Sequence, residues 1–146
     1  MDGVEVLEDD PFIHTPIKEL FLPKSIKKIH QYNPFTVMSE LENIFVDENN
    51  PYFTSLDGVL YTKDYSELIH FPRAKNLTIY YPHPGTRILR EQSFEHHPKI
   101  RTIVFKNLIT SVKENAFYNN SNMRNLIFPL GVSLSTSVFD SLANFK

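Results

Sequence analysis

The chain contains no cysteine, which removes disulfides, thiolate metal sites and a cysteine nucleophile together. Glycine is scarce, 4 residues against 10 prolines, and that balance argues against long uninterrupted helices. Neither charge sign is in large excess. The net charge of −2 and pI near 6.3 exclude the strongly basic balance expected of a protein that binds nucleic acid or an anionic membrane. No apolar run approaches the roughly 20 residues of a membrane-spanning helix, and the longest, Leu126 to Val132, is broken by Pro129. The first ten residues, Met1 to Asp10, are acidic where a secretory signal would be basic and then apolar, so neither a cleaved export signal nor an anchor is expected. What remains is a 146-residue chain, 41% hydrophobic and 22% charged, apolar enough to fold as one domain over 1–146.

Catalytic signatures are also missing. There is no Gly-x-Ser-x-Gly, phosphate loop, dinucleotide fingerprint or His-Glu-x-x-His. His14, His30, His70, His83, His96 and His97 are scattered without zinc-ligand spacing. No enzyme activity, metal or cofactor is therefore expected. Arg87, Arg90, Lys99, Arg101, Lys106 and Lys113 form a basic stretch and Asp2 to Asp10 an acidic one, both read as solvated faces. Asn76-Leu77-Thr78 and Asn119-Asn120-Ser121 match the glycosylation acceptor pattern, which a chain rich in Asn, Ser and Thr produces by chance.

The informative feature is an internal period. Phe94, Phe117 and Phe139 recur at 23 and 22 residues, preceded by Leu89-Arg90-Glu91-Gln92-Ser93, Val112-Lys113-Glu114-Asn115-Ala116 and Leu134-Ser135-Thr136-Ser137-Val138. Each reads apolar-x-x-x-small-Phe, with Val138 the bulkiest variant. A second pattern follows two of these phenylalanines: Ile100-x-x-Ile103-x-Phe105 and Met123-x-x-Leu126-x-Phe128-Pro129. It recurs earlier as Ile17-x-x-Leu20-x-Leu22-Pro23 and Leu41-x-x-Ile44-x-Val46, with Phe35 in the phenylalanine slot between them. Residues two apart share one face of a strand, and proline ends the ladder. Each repeat thus predicts one short strand, and repeats this short must stack into a parallel-strand solenoid. The longer gap from Ile44 to Ile79 carries the turn pair Asp57-Gly58 and the apolar runs Val59-Leu60-Tyr61 and Leu68-Ile69-His70-Phe71, which predict an inserted β-hairpin over 52–72. Val4, Val6, Leu7, Phe12 and Ile13 would form an irregular cap within 1–16. Phe145-Lys146 fall where the next strand would begin.

The segment Ile109 to Pro129 resembles a whole repeat of the BspA-like leucine-rich-repeat family, and Asp57 to Asp64 with Leu68 to Pro72 resembles the hairpin that interrupts such arrays. The resemblance covers roughly residues 15–145. The family's usual cysteine three residues after the phenylalanine is replaced by Met38, His97, Asn120 and Leu142, and its usual glycine by Arg90, Lys113 and Ser135. With it, the expected fold is α/β: a right-handed leucine-rich-repeat solenoid with short parallel strands, irregular or short helical returns and one inserted hairpin. The resemblance implies a non-catalytic binding module of the surface-antigen type, serving adhesion or host contact, with no catalytic residues to carry over.

On each strand the residue between the two core positions points away from the core. In this reading that column is Phe21, Phe45, Tyr80, Val104 and Ile127, flanked by Glu19, Asn43, Thr78, Thr102 and Asn125. A contiguous apolar stripe of roughly 20 Å is expected to bind a protein partner of unknown identity or to self-associate, as the open carboxyl end also could. The resemblance points to a cell surface, whereas the acidic, signal-free start points to the cytoplasm and to an intracellular scaffold or adaptor using the same stripe.

Overall fold

A repeat of this length cannot bury its apolar residues alone, so its strands take partners from the layers on either side. The computed structural model describes residues 3–8 and 15–130. Within them run β1 (Val6–Leu7), β2 (Glu19–Leu22), β3 (Lys28–Ile29), β4 (Asn43–Val46), β5 (Phe53–Leu56), β6 (Val59–Thr62), β7 (Glu67–His70), β8 (Ile79–Tyr80), β9 (Ile88–Leu89), β10 (Thr102–Val104), β11 (Ser111–Val112) and β12 (Asn125–Ile127). Each repeat contributes to two parallel ladders. One, from the second pattern, is made of β2–β4 and β8–β10–β12. The other, from the segments preceding the phenylalanines, is made of β1–β3 and β7–β9–β11.

The described residues contain no helix, and the expected α/β class with helical returns is corrected to a β-solenoid. Two features of the returns explain this. Gln92 and His96 have φ of 56° and 55°, and Asn115 and Asn119, 23 positions on, both have 56°; residues in this left-handed region end any right-handed run. The return amides also bond across to the neighbouring layer, as in Phe94 N–H to Ala116 O (2.8 Å), His96 N–H to Tyr118 O (2.9 Å) and Lys113 N–H to Leu89 O (2.9 Å). Amides committed between layers are not available for bonds four residues back along the chain.

The core is a stack. Phe94 is fully buried, with its ring centroid 5.1 Å from Phe71 and 5.5 Å from Phe117. The residue before each phenylalanine is His70, Ser93 or Ala116, and backbone bonds Phe71 N–H to Ser93 O and Phe94 N–H to Ala116 O tie those slots together. Phe71 therefore belongs to the phenylalanine column and is more than the end of a hairpin. Phe139 and its repeat lie outside the described residues, as do Phe12 and Ile13 of the expected amino-terminal cap. Val6 and Leu7 are regular rather than irregular: they pair with Lys28 and Ile29.

Buried asparagines fasten the turns between layers. Asn50 donates to Pro23 O and Ile26 O at 3.0 Å each and accepts from the Tyr52 and Phe53 amides at 2.8 and 2.9 Å. Asn120 donates to Phe94 O at 2.6 Å and accepts the His97 amide at 3.1 Å, so one amide side chain joins two repeats. Each bond satisfies a backbone group that is cut off from water.

The insertion is a three-stranded meander. Asp57 and Gly58, both at positive φ (51° and 79°), join β5 to β6 in the two-residue turn that suits strand twist. β6 then pairs antiparallel with β7, which enters the second ladder beside β9. Its alternating residues are buried on both sides. Leu60 and Ile69 pack in one core cluster with Leu22, Phe35 and Met38, while Val59, Tyr61, Leu68 and Phe71 pack in another with Phe94 and Ile103. The insertion is thus an internal partition between two half-cores.

This packing makes two substitutions informative. Phe94→Ala removes the middle ring of the stack and should lower stability by about 3–5 kcal/mol in urea unfolding. Gly58→Ala would place Cβ 2.2 Å from Asn43 Oδ1 at φ +79°, and should cost about 1–3 kcal/mol. Adding Asn43→Ala should recover the steric part of that loss but not the part due to φ.

Candidate functional site

Strand register decides which side chains face outward. Phe21 pairs with Phe45 and Val104 with Ile127, so these four of the five residues expected from sequence share the outward row. Phe21 is 63% exposed and its ring stacks on the half-buried Phe45 at 5.1 Å; Ile127 is 48% exposed and Val104 half-buried. Tyr80 is not in the row. It pairs with Ile103, is 7% exposed, and packs on Phe71 at 4.7 Å. Its hydroxyl lies 2.5 Å from that of Tyr61, which also accepts the His83 amide at 3.2 Å. Burial pushes both phenols above their ordinary value.

The outward place belongs to Tyr81, the residue that follows β8 and the Tyr80–Ile103 pair. Tyr81 is 57% exposed with the Lys106 ammonium 5.9 Å over its ring. Ile79, not Thr78, takes the flanking position opposite Thr102 and is 49% exposed, so the apolar surface is widest here. Sequence reasoning missed both residues, although a signal existed. Ile44, Tyr80, Ile103 and Leu126 each stand nine residues after Phe35, Phe71, Phe94 and Phe117, which marks Tyr80 as a core position once Phe71 is placed in the column.

The row is also interrupted. β4 and β8 do not pair; beside β4, Ile44 N–H donates to Gly58 O at 2.9 Å and Ala74 N–H to Leu41 O at 2.8 Å. The turn of the insertion and the 72–76 segment thus occupy the place of a continuous ladder. A cleft of about 380 Å³ opens there, lined by Glu42, Asn43, Asp57, Lys75, Asn76 and Leu77. Lys75 Nζ donates to Asn43 Oδ1 at 3.0 Å. Partial burial lowers the Lys75 pKa against the opposing pull of Asp57 and Glu42, and Glu42 also lies 3.4 Å from Lys18. The face therefore consists of an aromatic patch of Phe21 and Phe45, a polar cleft of balanced charge, and a broader patch of Ile79, Tyr81, Val104 and Ile127.

The cations between Arg87 and Lys113 do not form one surface. Arg101 and Lys106 flank β10, whereas Arg90 and Lys113 follow β9 and β11 in the other ladder, where Arg90 Nε donates to Glu67 at 2.7 Å. Among the described residues no group of three or more His, Cys, Asp or Glu could hold a metal ion, and no helix is long and apolar enough to cross a membrane.

The geometry has counterparts in solved structures. The pneumococcal vaccine antigen PcpA superposes with a TM-score of 0.80 at 27% identity, covering 89% of this chain and 32% of that one. A leucine-rich cell surface protein of Faecalibacterium prausnitzii gives 0.81 at 21% identity over 100% of this chain and 39% of that one. A leucine-rich-repeat protein of Eubacterium ventriosum gives 0.77 at 19% identity over 97% and 44%. The chain thus spans less than half the length of each of these proteins. No curated protein matches. The model of the BspA type leucine-rich repeat region matches in 6 copies over residues 1–58 and 70–146. With that match and the layered strands described above, the chain belongs to the BspA-type leucine-rich-repeat family.

Proposed function

We propose that this chain is a non-catalytic protein-binding module that works at a cell surface, in adhesion or host contact, through the outward face of β2, β4, β8, β10 and β12. The observation that carries the reading is the exposure of Phe21, Ile79, Tyr81 and Ile127 on the outward side of the two ladder segments β2–β4 and β8–β10–β12. Aromatic and large aliphatic side chains held on strands lose little freedom on binding, and patches of this kind mark interfaces. The surface setting is supported by the family and by the nature of two structural counterparts, a vaccine antigen and a cell surface protein.

The corrected register decides the test. Phe21→Ser combined with Tyr81→Ser should leave urea stability within about 1 kcal/mol, since both side chains are exposed. It should weaken capture of the native partner at least tenfold by surface-immobilised binding, as expected when two interface anchors are removed. Lys113→Ser, on the other ladder, should leave binding unchanged. Retention of every partner and of the oligomeric state by the double variant would remove the proposal. Protease shaving of intact source cells should strip the chain; protection would shift the assignment to an intracellular scaffold using the same face.

A further inference from the structure

Two buried histidines lie against the two half-cores, one against each. His70 ends β7, is 1% exposed, and neither ring nitrogen has a hydrogen-bond partner among the described residues. Its ring lies 5.4 Å from Phe35, a member of one core cluster. His97 is equally buried, its ring 5.0 Å from Phe71 of the other cluster. His97 Nδ1 accepts the Lys99 and Ile100 amides at 3.2 and 3.0 Å, which leaves the ring proton on Nε2, buried near the Lys75 and Pro72 carbonyls but without a well-formed hydrogen bond among the described residues. The slot of His70 does not require an imidazole, because the next two repeats fill it with Ser93 and Ala116.

We propose that His70 and His97 form an acid-sensitive latch between the two halves of the solenoid, closed while both rings are neutral and opened by their protonation. A cation at either position would have no solvent to screen it and would repel a cation at the other. The groups around them reinforce this. His97 is the titratable neighbour that acts on His70. Lys99 and Arg73 act unfavourably on a charged His97, and the nearby carbonyls of Lys75 and Pro72 oppose them. Burial is the largest cause in both cases, holding His70 down to about 3 and His97 down to about 4.

The sign follows from proton uptake. Below the ordinary histidine value of 6.5 the unfolded chain protonates both rings while the folded chain does not, so folding weakens as pH falls from about 6.5 toward the folded values. Exposed carboxylates remain largely ionised at pH 5; the partly buried Glu95, raised by burial, and His96, lowered by burial, also act in this window, so the contributions of His70 and His97 are read from the differences between the wild type and the single variants. The latch also sets the relation between the two outward patches, because β2 and β4 carry residues of one half-core and β8, β10 and β12 residues of the other. That consequence rests on the proposed binding role; the latch itself does not.

Urea unfolding of the full chain at pH 7.5 and 5.0 tests it directly. Each buried histidine should lower the folding equilibrium constant about thirtyfold across that interval. His97→Asn keeps an acceptor for the same two amides, as Asn50 does for its own turn, and should recover about thirtyfold of the loss. His70→Ala, which copies the residue that the Ala116 slot already holds, should recover a similar factor. A wild-type stability that is flat over this range, or variants with the wild-type slope, would overturn the proposal. Should either variant fail to fold, carbon-13 NMR titration of the wild-type imidazoles decides the matter: two rings that stay neutral to below pH 5 support the latch, and ordinary titration of all rings near 6.5 refutes it.

Discussion

The structure depends on satisfying each layer's backbone and apolar residues with those of its neighbours. The Phe71, Phe94 and Phe117 rings fill successive layers, and the amides around them bond to the next repeat rather than within their own. This exchange of local for interlayer bonds is why the returns are turns and two-residue strands with residues at positive φ, and why no helix forms in them. It also fixes the outward residues within each ladder segment, since every strand there is held by a parallel partner.

The insertion modifies this plan at one place, and much that is distinctive follows from it. A meander buried on both faces takes the position of a simple layer and divides the core in two. Its Asp57-Gly58 turn lies against the edge of β4, which ends the first segment of the outward ladder and leaves the cleft beside Asn43. Tyr61 from the same insertion reaches the Tyr80 hydroxyl and so makes an inward tyrosine tolerable in the next strand. Its last strand buries His70 against Phe35 of the first cluster, where the charge state of the buried His97 acts on it.

Much of the repeat plan was legible in the sequence because a layered core demands the same residue type at the same depth in every layer. Ile103 and Phe105 point inward as their spacing requires, and so do Leu20 and Leu22. Phe71 was harder to place, because the apolar run Leu68 to Phe71 serves both as a hairpin strand and as the approach to the phenylalanine column. Without Phe71 in the column, Ile79 rather than Tyr80 is taken as the inward residue of the next strand, and a one-residue shift exchanges the two faces of a strand. Tyr80 and Tyr81, adjacent and chemically alike, give no local cue to which is inward. The hydroxyl partner on Tyr61 that distinguishes them is nineteen residues away.

The sequence by itself determined the solenoid, the phenylalanine layers, the position of the insertion and four of the five outward residues, because periodic spacing acts through chain geometry alone. Tertiary structure decided what depends on which layers meet: the all-β returns, the division of the core, the break in the outward ladder, the exchange of Tyr80 for Tyr81 and the burial of His70 and His97. Those outcomes are set by hydrogen bonds and burial between residues of different repeats, and a pattern read within one repeat carries no record of them.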